Sequence, residues 1–123
     1  MILGVGVDIV HIYRLERWAK IPGIFERFFH PEELAEARTR GSAMVMALAA
    51  RFAAKEAFGK ALGTGLTGIR LADIRVITNF NGKPDIVVYD TALAAQKRAG
   101  GGRIHISLTH ERDNAVAFVV LED

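Results

Sequence analysis

The chain has 123 residues and a net charge of +2, and half of it is hydrophobic, which fits one domain around one core and is too short for two. It contains no cysteine, so a disulfide framework and a thiolate metal site are excluded, and a reducing cytoplasm is the expected compartment. The near balance of charge gives no ground for a nucleic-acid partner, because such binders are more strongly basic.

The first ten residues, MILGVGVDIV, are apolar but lack a basic leader and are interrupted by Asp8, so they read as a strand and not as a signal peptide. Leu3, Val5, Val7 and Ile9 alternate with Gly4, Gly6, Asp8 and Val10. The aliphatic side is expected to face the core, with the glycines leaving room for another backbone or a ligand. IYRLERWAK (12–20) suits a short helix with a basic exposed edge of Arg14, Arg17 and Lys20, ended by Pro22-Gly23. In HPEELAEAR (30–38), Pro31 falls at a first helical position, with Glu32 and Glu33 where the helix dipole favours them.

Ser42 is the expected cap of a long helix over 43–62. Ala50, Ala53, Ala54, Ala57 and Ala61 gather on one of its sides, Arg51 and Lys55 on another, and Glu56 and Lys60 on a third. Gly63 and Gly65 stop it, and Gly59 inside it implies a close neighbour, since glycine costs a helix roughly 1 kcal/mol relative to alanine. The apolar run 43–50 is far short of the roughly 20 residues that a bilayer helix needs, so no membrane association is expected. Strands follow at 73–79 and 85–89, joined at NGKP (81–84) by an Asn-Gly hairpin signal. Asp90 is the expected cap of a helix over 91–99. Strict alternation in RIHISLT sets Ile104, Ile106 and Leu108 against Arg103, His105, Ser107 and Thr109, and 115–121 is the last strand. The expected fold is a single α+β domain over 1–123, with a mainly antiparallel sheet packed against a long helix.

Two readings fit Asp8: a cap at a strand end, or a metal or phosphate site reached from the glycine side. Two also fit Glu56 and Lys60: an i,i+4 ion pair on a solvated face, or half of a hard, oxygen-only site of the kind that suits Mg²⁺ with substrate phosphates. Gly63-Thr64-Gly65 follows a helix instead of opening one, so it is no Walker loop. His105 and Ser107 on one strand face stand about 7 Å apart, too far for a nucleophilic pair.

Taken together, GVGVDIVHIYR (4–14), RFAAKEAFGKALGTG (51–65), NGKP (81–84) and HISLTHE (105–111) resemble the bacterial holo-[acyl-carrier-protein] synthases, the small members of the 4′-phosphopantetheinyl transferase superfamily. The resemblance spans nearly the whole chain. It implies transfer of 4′-phosphopantetheine from coenzyme A to a serine of apo-acyl-carrier protein, in support of fatty acid biosynthesis. It implies Asp8 and Glu56 as Mg²⁺ ligands, with Lys60 as a catalytic neighbour that pairs with a phosphate oxygen or orients Glu56. Arg51 and His105 are implied as contacts to coenzyme A phosphates, with Gly63 and Thr64 along the cofactor and Asn81, Gly82 and Pro84 near the adenine. Arg14 and Arg17 would receive the carrier protein. The resemblance also implies a homotrimer with each active site at a subunit interface. The segment RGSAMVMALAA before the long helix is less basic than the family's usual, leaving Arg38 and Arg40 as the cations nearby.

Overall fold

The chain begins as the strand β1 (Ile2–His11) in a computed structural model that describes residues 1–123. β1 pairs antiparallel with β5 (Asn114–Glu122), and β5 with β4 (Arg103–His110), giving the sheet order β1-β5-β4. Asp8, Ala117 and Leu108 stand opposite one another in one row, and Val5, Val120 and His105 in another. Side chains alternate along a strand while directly opposed residues share a face. The Asp8 row and the His105 row therefore point to opposite faces of the sheet.

The inner face carries α4 (Met44–Leu62). Alanine and other strong helix formers dominate it, and it is buried on nearly every side, as befits a helix surrounded by protein. It ends at Gly63, whose φ of 83° is left-handed. The expected cap is corrected: the chain enters through a 3-10 turn, Gly41–Ala43, which puts Ala43 at the cap position, and no side chain caps the helix. Gly59 has its close neighbour, for a Cβ there would come 2.9 Å from the Gly65 carbonyl carbon and from Leu66 Cδ2.

The expected orientation of β1 is reversed. Val5, Val7 and Ile9 are 52%, 52% and 61% exposed, while Gly6 and Val10 are buried. The reason is contact between backbones. A Cβ on Gly4 would lie 1.8 Å from the Ala61 carbonyl oxygen, and one on Gly6 1.9 Å from that of Ala57. An aliphatic side chain on this face would hold the helix away from the sheet.

α1 (Ile12–Trp18) and α3 (Pro31–Arg38) pack on α4, with the unforeseen one-turn α2 (Ile24–Phe28) between them, opened by Gly23 at φ 81°. Pro31 opens α3 as expected, inside a capping box in which His30 Nδ1 accepts from the Glu32 amide and Glu33 accepts from the His30 amide, both at 3.1 Å. β2 (Ile74–Thr78) and β3 (Pro84–Val88) form a separate hairpin. Asn81 and Gly82 occupy its turn, yet Asn79 holds it, its Oδ1 accepting from the amides of Asn81 and Lys83 at 2.9 Å each. Asp90 is the first residue of α5 (Asp90–Arg98), at φ 40°, and not its cap. Asp73 does that work through space, its carboxylate accepting from the Thr91 amide (3.1 Å) and hydroxyl. No helix is long and apolar enough to cross a membrane.

Candidate active site

The two glycine contacts bring β1 under α4, so the next inward residue, Asp8, arrives beside the last two turns of the helix. Lys60 donates to Asp8 Oδ1 at 3.1 Å and to the Val7 carbonyl at 3.0 Å. Lys60 thus turns to the strand, and the i,i+4 pair with Glu56 does not form. Glu56 is half-buried, and its carboxyl is pushed above the ordinary glutamate value by burial and by the charge of Asp8, with Arg14 and Lys60 opposing. Two carboxylates and two cations therefore gather at the junction of β1, α1 and α4. No third histidine, aspartate or glutamate joins them. The donor set is hard, oxygen-only and two carboxylates strong, which fits Mg²⁺ completed by water and phosphate oxygens.

Lys55, one residue from Glu56, points elsewhere. The family resemblance makes it a neighbour of a bound diphosphate, but its ammonium is buried away from Asp8 and Glu56. Lys55 and Glu33 form a fully buried ion pair at 2.8 Å, and the ammonium also donates to the carbonyls of Leu71 (2.9 Å) and Ile74. Glu33 in turn accepts from the Val76 amide at 2.9 Å. The pair ties α3, α4 and β2 together, with every donor of Lys55 used. Arg51 is likewise committed internally. It is 3% exposed and donates to the Glu33 carbonyl (3.0 Å) and to the Glu36 carboxylate. Its anionic partner within the chain is Glu36. Partial burial raises the Glu36 carboxyl, but hydrogen bonds from Arg40 and Arg51 outweigh it and hold the group below the ordinary value. Arg38 pairs with Glu26 and Arg40 with Glu36 at the surface.

A groove of about 550 Å³ separates β3 from β4. Ile86, Val88 and Ile106 give it apolar walls, Lys83 and Arg103 give it cations, and the His105 imidazole stands among them. His105 stands 2.9 Å from Glu122 across the strand, not against Ser107. Pro84 lines the groove, whereas Asn81 and Gly82 sit on the exposed hairpin tip outside it. Lys83 falls within the 81–84 stretch expected near the adenine, and Arg103 stands on the polar side of the β4 alternation. Thr64 and Gly63 lie exposed after α4, with Thr64 lining a separate cavity of about 290 Å³ beside Arg98. Arg14 and Arg17 are exposed on α1. Within the chain the structure joins Asp8, Glu56, Lys60 and Arg14, and separates them from His105, which lies on the other sheet face.

The sequence model of the 4′-phosphopantetheinyl transferase superfamily matches residues 4–119. A holo-[acyl-carrier-protein] synthase of Treponema denticola is 52% identical over 122 residues, covering 99% of each chain. The crystal structure of the holo-[acyl-carrier-protein] synthase of Neisseria meningitidis superposes with a TM-score of 0.90 at 37% identity over the whole of both chains. The corresponding Bacillus anthracis structure, in complex with CoA (3′,5′-ADP), gives a TM-score of 0.83 at 34% identity over 98% of this chain and 96% of that one.

Proposed function

The chain belongs to the 4′-phosphopantetheinyl transferase superfamily and is an enzyme of it, and we propose that it transfers the 4′-phosphopantetheine group of coenzyme A to a serine of an apo-acyl-carrier protein. The products are the holo-carrier and adenosine 3′,5′-bisphosphate. The observation that carries the reading is the junction of Asp8, Lys60 and Glu56, built by a glycine-floored strand under α4.

Asp8 and Glu56 would hold Mg²⁺ through their carboxylate oxygens. When bound, Mg²⁺ neutralises charge on the diphosphate of coenzyme A as its bridging P–O bond breaks. The serine Oγ forms the new P–O bond to the pantetheine phosphorus, and the bridging oxygen leaves on the nucleotide phosphate. Lys60 gives up Asp8 for a phosphate oxygen, so the site exchanges one anionic partner of its ammonium for another. The serine proton passes to a base at the carboxylate junction, for which the Glu56 carboxylate and a neighbouring water are the two candidates. Arg14 and Arg17 meet the acidic carrier. Gly63 and Thr64 border the cofactor path, and the groove with Lys83, Pro84, Arg103 and His105 suits a phosphorylated nucleoside, apolar walls for the base and cations for phosphate.

The same reading makes the chain a homotrimer that works in the cytoplasm for fatty acid synthesis. Its support is twofold. The exposed apolar face of Val5, Val7, Ile9 and Phe118 is a contiguous patch of the sort that marks protein contacts. Asp8 and the side chains of Arg103 and His105 also lie on opposite faces of one sheet, so on this reading a complete site takes Arg103 and His105 from a second copy.

The test is direct: incubate the protein with coenzyme A, Mg²⁺ and purified apo-carrier proteins, and weigh the carriers by mass spectrometry. A gain of one phosphopantetheine is expected. No gain on any of several carriers would sink the assignment.

A further inference from the structure

Arg14 is not a loose surface cation. Its guanidinium carbon stands 4.9 Å from the centre of the Trp18 ring and 5.2 Å from that of Phe52. Trp18 lies one helical turn after Arg14, so the contact is local to α1. The indole is itself braced, edge-on to Phe52 at 4.9 Å and tilted against Phe28 at 5.2 Å. It is half-buried, with one side in the core and the other under the cation. Phe52 precedes Glu56 by one turn of α4, so the same aromatic floor reaches the carboxylates, and Glu56 feels the charge of Arg14. Arg17 and Lys20, further along the same basic edge, are exposed and have neither an aromatic floor nor an acidic partner. A guanidinium is attracted by an aromatic face and keeps its hydrogen-bonding edge free while stacked. Arg14 is therefore the one member of the edge whose direction is set before any partner arrives.

We propose that Trp18 is a positioning residue: with Phe52 it holds Arg14 at the rim of the Asp8–Glu56 pair, and so sets the register in which an acidic acyl-carrier protein docks with its serine over the carboxylates. This rests on the transferase reading above. Arg17 and Lys20 supply attraction without register.

The experiment compares W18L, W18F, R14K, R14A and the double variant R14A/W18L, with kcat and KM measured separately for carrier and for coenzyme A. W18L is expected to raise the KM for the carrier about fivefold, the scale of a lost cation–aromatic contact, with the KM for coenzyme A unchanged. W18F keeps an aromatic face and is expected to recover most of the loss. R14K keeps the charge but not the planar stack, and is expected to resemble W18L. The double variant is expected to be no worse than R14A. Trp18 is the single tryptophan of the chain, so its emission reads the contact directly, and R14A is expected to shift it without any substrate present. Effects of R14A and W18L that multiply, or a W18L loss shared equally by carrier and coenzyme A, would overturn the proposal. If W18L does not fold, W18F and R14K decide it, since both keep a ring at position 18. Absence of transfer by the unaltered chain would overturn the transferase reading and this proposal with it; failure of the aromatic contact alone would leave that transfer intact.

Discussion

Gly6 packs against Ala57 with no room for a side chain: a Cβ on the strand residue would lie 1.9 Å from the helix carbonyl oxygen. Everything at the candidate site follows from that approach, because it is what lets Asp8, two residues later, reach Lys60. G6A is expected to destabilise the fold by about 1–3 kcal/mol as strand and helix part. It is also expected to reduce transfer by more than the lost folded fraction explains. Thermal unfolding alongside the carrier mass assay checks both; a G6A protein of unchanged stability and activity would contradict the backbone contact.

D8A and E56A are each expected to lower transfer at least about a hundredfold, since several kcal/mol of charge stabilisation is at stake. Both proteins should still fold. Chelation of the unaltered protein is expected to stop transfer with little change in melting temperature, because Lys60 is a charge partner for Asp8. Circular dichroism melts with and without chelator test this, and a large drop on chelation would show that the carboxylates need the metal for folding.

The buried pair Lys55–Glu33 is a stability element, not part of the chemistry. K55M leaves Glu33 as an uncompensated buried charge and is expected to cost about 3–5 kcal/mol. Replacing both residues by apolar ones of similar volume (K55M with E33L) should recover part of that loss. Denaturant unfolding of the single and double variants measures it; a double variant worse than the sum of its singles would count against the pairing as described.

Glu36 supplies a pH dependence whose sign is fixed. Its carboxyl lies below the ordinary value of 4.5, chiefly through Arg40 and Arg51 acting against partial burial. A depressed carboxylate contributes stability that is fully present above the unfolded pKa and is lost as pH falls through the native one. Its side chain is 44% exposed, so the contribution is discounted for solvent to under about 1 kcal/mol. Melting temperatures from neutral to pH 3 are expected to fall more steeply in the unaltered protein than in E36Q, and parallel curves would refute the assignment.

Mixing tests the proposal that two copies share a site. A D8A chain and a chain with K83A, R103A and H105A are each expected to be nearly inactive alone. Co-expressed, they should regain activity at roughly a quarter of the sites, by random placement around a closed ring. No recovery would mean that each chain completes its own site.

Much of the fold was legible because its signals are local. The alanine-rich helix, the glycine stops, the Pro31 opening and the alternation in β4 each depend on near neighbours in sequence. The facing of β1 was not, because one of its sides is aliphatic and the other mostly small, and only the carbonyls of Ala57 and Ala61 decide which turns inward. The fate of Lys55 was hidden for a similar reason: its partner Glu33 lies 22 positions earlier on another helix. Asp8, Glu56 and Lys60 were legible as odd charges in apolar surroundings, whereas Lys83 and Arg103 look like ordinary surface cations until β3 and β4 come together. The role of Trp18 was hidden in plain spacing, four residues from Arg14.

The two opposed faces of the sheet carry one more consequence. On the proposed reading, an isolated copy owns both halves of the machinery and can use neither, since they look away from each other. Output then depends on how many copies meet, not only on how many exist. Dilution would silence the enzyme without unfolding it, and a single inactive chain would spoil two sites when it joins its neighbours. Abundance becomes a threshold: below it coenzyme A is left untouched, and above it every added chain finds partners waiting.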